Sequence, residues 1–237
     1  MRHKPTLAVS PSDETETAAP AISSQHHFKI MLGALLLLLM AAPFAQGERF
    51  AEEVMTGGLG TVVFLTVYSM GQGNAARKLF WLGCVTGAGA ILSYVTPYQG
   101  FDYISLALYA AFLACACLLI GCGIMANTQV TLNVILAAVY IYLLMGVTWG
   151  LGYALMDGLQ PHSFSLQAGN NGTLLDRTLQ HFIYYSFEAL TTLGYGDIVP
   201  QTTPARYASV LEAVAGQMYL TILVARLVGM HISQRAS

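Results

Sequence analysis

The feature that most constrains this chain is a run of seven residues, 191–197, with the sequence Thr-Thr-Leu-Gly-Tyr-Gly-Asp. It lies between a short amphipathic segment (181–190) and a long apolar one (207–228). Because glycine adopts positive φ without a Cβ clash, alternating glycine and non-glycine residues allow a strand to aim successive backbone carbonyls at one axis. A lone Gly-Tyr-Gly is common in turns, but the longer run between two apolar segments predicts such a carbonyl-lined strand.

The composition places the chain in a membrane. Hydrophobic residues make up 55% of the sequence and charged residues only 9%, whereas soluble domains carry about 25% charged residues. We therefore expect a membrane protein whose surroundings are the lipid bilayer, and we expect no nucleic-acid partner.

Six apolar stretches follow a polar N-terminal tail. Residues 1–27 are rich in Ser, Thr, Ala, Pro and Glu, a composition typical of disorder. Each apolar stretch is near the ~20 residues that a helix needs to cross a bilayer. The stretches cover about residues 29–46, 54–71, 79–96, 103–125, 131–156 and 205–228. The first of them could instead be a cleaved signal peptide, although its polar lead is long for one.

The basic residues predict the orientation. With a cytoplasmic N-terminus, seven of the ten Lys and Arg residues fall on the inside of the membrane and three on the outside. This is the usual positive-inside bias. It predicts a multi-pass protein of the cell (plasma or inner) membrane with both termini cytoplasmic.

From about residue 130 to residue 230, the chain resembles the pore module of tetrameric potassium channels, where an outer helix, a pore helix, a filter and an inner helix follow one another. The earlier residues resemble, in architecture alone, the four additional helices of six-helix bacterial channels. The resemblance implies an all-α membrane fold with six transmembrane helices, a re-entrant pore helix (about Arg177 to Leu190) and a filter loop. The implied domains are a cytosolic tail (1–27), a four-helix scaffold (28–128) and a pore domain (129–237).

The resemblance also assigns the filter. The filter residues are Thr192, Leu193, Gly194, Tyr195 and Gly196. K⁺ would bind at the first four, and the Thr192 hydroxyl would face the innermost ion. Leu193 stands where the family more often has Val or Ile, but its carbonyl, not its side chain, would coordinate the ion. Since the chain holds one filter, the pore requires a homotetramer.

Three further residues are implied to support the filter. Glu188 and Asp197 flank it at the positions of a carboxyl–carboxylate pair in this family, and Tyr184 occupies the bracing position one helical turn before Glu188. Two carboxyls that close cannot both ionise easily, so one would carry a proton. The alternative is that Asp197 faces solvent and Glu188 pairs elsewhere.

The last apolar segment contains two unusual residues. Gly216 lies at the position of the family's gating hinge, although close packing against a neighbouring helix is an equally good explanation. Glu212, one turn earlier, is an acid inside a membrane segment and so a candidate functional residue. It could instead bond to the backbone of the pore helix.

These observations predict a passive, K⁺-selective channel that is not an enzyme and uses no cofactor beyond the permeant K⁺. A subunit of a potassium uptake transporter is an alternative, but such transporters usually carry four filter repeats in a chain, each with a single glycine. A non-conducting membrane sensor with the same fold is another.

The fourth apolar segment predicts weak voltage dependence, because residues 103–125 contain no Arg or Lys. A strong sensor carries 3–4 gating charges per subunit, each worth about 2.3 kcal/mol per 100 mV. The charged residues between Met31 and Gln129 are Glu48, Arg49, Glu52, Glu53, Arg77, Lys78 and Asp102. All are expected in or beside loops. A conductance–voltage curve in symmetrical K⁺ should therefore be nearly flat, and a steep sigmoid would contradict this interpretation.

Overall fold

The computed structural model describes residues 25–44, 48–69, 74–96, 99–126, 131–166 and 179–236, which are almost wholly helical. The helices are α1 (Gln25–Ala41), α2 (Glu48–Ser69), α3 (Asn74–Val95), α4 (Gln99–Ala126), α5 (Leu132–Leu159), α6 (Leu179–Leu190) and α7 (Thr203–Ala236). A 3₁₀ turn, Ala42–Phe44, follows α1. Each apolar stretch thus coincides with a long helix, and α6 lies where the pore helix was predicted.

Two predicted boundaries differ from the structure or fall outside it. The first helix begins at Gln25, inside the stretch predicted as a tail, and residues 1–24 lie outside the described part of the chain. The predicted start of the pore helix at Arg177 also lies outside the described residues, since these resume at Leu179.

Three of the described helices are long and apolar enough to cross a membrane, namely α4, α5 and α7. In α1 and α2, shorter apolar segments of 10–17 residues cover Phe28–Ala41 and Val54–Ser69. The protein is therefore a largely helical membrane protein, and the six-span topology stays a prediction.

The helical core joins the predicted scaffold to the pore domain. Side chains from α1, α2, α4 and α5 form one buried cluster that includes Leu35, Leu59, Phe112 and Leu144. Lipid tails are as apolar as these side chains, so packing contacts and not water exclusion hold such helices together in a bilayer. The cluster makes α5 a common surface for the first helices of the chain.

Polar contacts link α7 to the end of α4 and the start of α6 to the 3₁₀ turn after α1. The Arg226 guanidinium on α7 donates to the Ile124 and Met125 carbonyls at the end of α4, both at 2.7 Å. A cation there satisfies orphan carbonyls and complements the helix dipole. At the start of α6, the Gln180 side-chain amide donates to the Ala42 carbonyl at 3.0 Å.

Glycines allow α6 to lie very close to α5 and α7. A Cβ at Gly150 on α5 would lie 2.7 Å from Ile183 Cα, and one at Gly146 would lie 2.7 Å from the Phe187 ring. Both distances are shorter than a normal van der Waals contact. The position of α6 is therefore set by backbone surfaces that leave no room for larger side chains.

A short two-stranded antiparallel sheet, which was not predicted, accompanies the helices of the predicted all-α membrane fold. Strand β1 (Phe164–Leu166) pairs with β2 (Ile198–Pro200), with Ser165 opposite Val199. Helix α5 continues to Leu159, and near its end the buried Asp157 accepts a hydrogen bond from Phe164 N at 3.3 Å. The sheet ties the residues after the 191–197 segment to the end of α5.

We predict that Gly150→Ala destabilises the protein by about 1–3 kcal/mol, the usual cost of overpacking. The new methyl group would meet the Ile183 backbone, which cannot rotate away. Gly152→Ala is the matched control two residues along α5, where an added Cβ has nothing within 4 Å. Thermal unfolding of both purified variants measures the difference, and equal midpoints would show that α6 does not depend on this contact.

Candidate functional site

The 191–197 segment begins as α6 ends. The N–H of Thr192 donates to the Ala189 carbonyl at 3.0 Å, and the N–H of Leu193 donates to the Glu188 carbonyl at 2.8 Å. These bonds close the last turn of the helix and direct the N–H of Leu193 at α6.

The backbone then alternates in handedness. Positive φ occurs at Thr192 (58°), Gly194 (59°) and Gly196 (79°), whereas Leu193 and Tyr195 are not among the positive-φ residues. Alternation of this kind directs successive peptide groups to the same side of the chain. The glycines at 194 and 196 were expected to allow it. Thr192 was not, and a non-glycine residue at positive φ marks local strain of the type found at functional sites.

Two hydrogen bonds establish which way the carbonyls point. The N–H of Tyr195 donates to the Glu188 carboxylate at 3.3 Å, so it faces the pore helix, as the N–H of Leu193 does. All peptide bonds of the described chain are trans, and in a trans peptide the carbonyl points opposite to the following N–H. The carbonyls of Thr192 and Gly194 therefore point away from α6.

These carbonyls lie on an open surface of the single chain. Every residue from 191 to 197 is exposed, with Leu193 at 55% and Tyr195 at 70%. One such strand cannot surround an ion by itself. The arrangement therefore has the form of one wall of a larger site.

The structure brings together the three residues predicted to support the filter. The Tyr184 hydroxyl lies 3.0 Å from Glu188 Oε1 and 3.0 Å from Asp197 Oδ2. A hydroxyl has a single hydrogen, so Tyr184 cannot donate fully to both carboxyl groups at once. Glu188 is buried and Asp197 is exposed. Asp197 nevertheless bonds to Tyr184, in contrast to the alternative that it only faces solvent.

Gly216 packs against the end of the pore helix. A Cβ at this position would lie 2.6 Å from the Leu190 carbonyl oxygen. Of the two roles considered for Gly216, close packing is the one that this geometry displays, and the role of gating hinge stays a prediction.

The sequence interpretation missed two residues beside Glu212. The Tyr153 hydroxyl on α5 donates to Glu212 Oε2 at 2.6 Å, and Ser186 Oγ on α6 lies 2.5 Å from Glu212 Oε1. Glu212 thus contacts a pore-helix side chain, where a bond to the backbone was one expectation. An acid in an apolar helix requires hydroxyl or cationic partners, and this was the signal in the sequence.

Comparison with known proteins found one family model, and its match includes the part of the chain that holds these residues. Residues 129–232 match a family model described as "Ion channel". The matched part includes α5, α6, the 191–197 segment and most of α7, and it is a little under half of the chain. Neither the search of curated proteins nor the search of solved structures returned a match. The match supports an ion channel domain in these residues.

The contacts of Tyr184 predict that Tyr184→Phe destabilises the 191–197 segment by about 0.5–1.5 kcal/mol, the usual net contribution of a hydrogen bond, because Glu188 keeps the N–H of Tyr195 as a partner and Asp197 is exposed. The ring remains and only the hydroxyl is lost. Tyr207→Phe is the matched control, since Tyr207 is 70% exposed. Thermal unfolding in K⁺ should show a lower midpoint for Tyr184→Phe alone, and equal midpoints would mean that the hydroxyl does not hold Glu188 and Asp197.

Proposed function

We propose that the protein is a K⁺-selective channel that conducts passively through a homotetrameric pore and is not gated by voltage. The observation that carries this proposal is the direction of the Thr192 and Gly194 carbonyls, which point away from the pore helix at an exposed surface. Rings of backbone carbonyls that replace the hydration shell of the ion are how K⁺ filters work.

The exposed filter backbone favours assembly of copies around it. An unsatisfied backbone polar group costs several kcal/mol in contact with lipid, and irregular backbone at membrane depth is tolerated only where protein or a water-filled cavity surrounds it. Four copies would supply four carbonyls to each ring. Helix α7 supports this assembly, since only 11% of its apolar window is buried within the chain, and Leu211, Val214 and Met218 are more than half exposed.

In this proposal only groups of the protein itself coordinate and stabilise the ion. K⁺ is coordinated by carbonyls of Thr192, Leu193, Gly194 and Tyr195, with the Thr192 hydroxyl at the inner end and Gly196 completing the strand. The C-terminal end of α6 carries roughly half a negative charge and stabilises a cation in the cavity beneath. Tyr184, Glu188 and Asp197 hold the strand from behind, and the pore lies in the cell membrane with both chain termini in the cytoplasm.

Flux measurements on the two filter glycines test the proposal. At Gly194 and Gly196 an added Cβ has nothing within 4 Å in the single chain, so the expected harm comes from positive φ, where an L-residue costs about 1–2 kcal/mol. We expect Gly194→Ala and Gly196→Ala to lose K⁺ flux, or its preference over Na⁺, in liposomes while tetramers persist.

The control is Gly229→Ala, a helical glycine of α7 whose added Cβ also has nothing within 4 Å. This variant should conduct like the wild type. If both filter variants keep the wild-type ratio of K⁺ to Na⁺ flux, the assignment of the filter is wrong. If the wild-type protein carries no flux, the non-conducting sensor replaces the channel.

A further inference from the structure

The buried carboxyl of Glu212 lies where three helices meet. Glu212 is 0% exposed, although most residues of α7 are partly or fully exposed. Oxygen Oε2 meets the Tyr153 hydroxyl of α5, and Oε1 meets the Ser186 hydroxyl of α6. Both partners are neutral hydroxyl groups, so the carboxyl is bound without a counter-charge.

Counting hydrogens shows which form of the carboxyl fits. Ser186 Oγ lies 2.6 Å from the Gly146 carbonyl oxygen as well as 2.5 Å from Glu212 Oε1. The carbonyl can only accept, so it takes the one hydroxyl hydrogen of Ser186. The short contact between Ser186 and Glu212 then requires a hydrogen on Glu212. A protonated Glu212 donates to Ser186 and accepts from Tyr153, which satisfies every oxygen in the set.

The surroundings favour the same form. The titratable groups that face Glu212 from the described residues are the phenols Tyr142 and Tyr153 of α5 and Tyr185 of α6. Phenols are neutral up to about pH 10. An isolated charge at this depth is costly, and a carboxylic acid kept neutral by its site can serve as a hydrogen-bond donor.

The Glu212 carboxyl is connected to the predicted filter through α6. Ser186 precedes Glu188 by two residues on α6, and Glu188 holds the N–H of Tyr195. One turn after Glu212, Gly216 packs on the Leu190 carbonyl at the end of the same helix. Helix α7 therefore contacts the pore helix at two points. Glu212 makes a hydrogen bond to Ser186, and Gly216 packs against the backbone at Leu190.

We propose that Glu212, in its protonated form, is a positioning residue of the filter: it fixes the pore helix between the outer and inner helices, and loss of its proton as the pH rises releases that helix. The predicted effect on K⁺ flux rests on the proposed function, whereas the predicted effect on stability does not. Raising the pH removes the hydrogen donated to Ser186 and leaves two acceptors facing each other.

The test compares full-length wild type, Glu212→Gln and Glu212→Ala in K⁺-loaded liposomes and in thermal unfolding, from neutral to alkaline pH. Gln reproduces a neutral donor and acceptor, so Glu212→Gln should match the wild type at neutral pH. Glu212→Ala should lose on the order of tenfold in K⁺ flux, equivalent to about 1.4 kcal/mol, and its unfolding midpoint should fall by roughly 2–4 °C, the shift that a loss of this size gives in a chain of this length. With rising pH the wild type should lose flux and stability reversibly, while Glu212→Gln stays level.

If Glu212→Ala does not fold, Tyr153→Phe replaces it, since that change removes a single hydrogen bond and keeps the ring. Wild-type behaviour of the Ala or Phe variant in both measurements would overturn the proposal. A Gln variant as impaired as the Ala variant would overturn the neutral form, because it would mean that the charge is needed. A wild-type protein without K⁺ flux would refute the proposed function alone, and the unfolding midpoints would then decide the role of Glu212 by the same criteria.

Discussion

The geometry of the 191–197 segment depends on the two hydrogen bonds that Glu188 makes to it. The Glu188 carbonyl holds the N–H of Leu193, and the Glu188 carboxylate holds the N–H of Tyr195. Because each peptide group is planar and trans, binding an N–H on one side fixes the preceding carbonyl on the other. One residue of the pore helix therefore orients two carbonyls that would face an ion.

The stability of that arrangement depends on how firmly α6 is packed against α5 and α7. Gly146 and Gly150 allow α5 to contact α6 closely, and Gly216 does the same for α7. Hydroxyl groups then satisfy the buried acids, with Tyr184 bonded to Glu188 and Tyr153 bonded to Glu212. Close backbone contact and satisfied polar groups are what stabilise helix association in a membrane, where apolar side chains gain little by leaving lipid.

The sequence predicted those parts of the fold that have a local signal. Apolar stretches of the right length gave the helices, and the Gly-Tyr-Gly run located the strand with alternating backbone handedness. The grouping of Tyr184, Glu188 and Asp197 followed from a family resemblance. By contrast, the short sheet pairs β1 with residues more than thirty positions later, and positive φ at Thr192 has no signature in a threonine. The partners of Glu212 also depend on tertiary packing, which helix periodicity does not encode.

The most direct test of the account is the reversal potential of single wild-type channels with K⁺ on one side of a bilayer and Na⁺ on the other. A ring of carbonyls that replaces the hydration shell of K⁺ should shift this potential strongly in the direction of K⁺ permeation. Each tenfold preference for K⁺ adds about 59 mV for a monovalent ion, and we expect a shift of more than one such step. A reversal potential near zero in open, unitary currents would contradict the central claim, because the pore would then conduct without the carbonyl-based selection that the strand is proposed to provide.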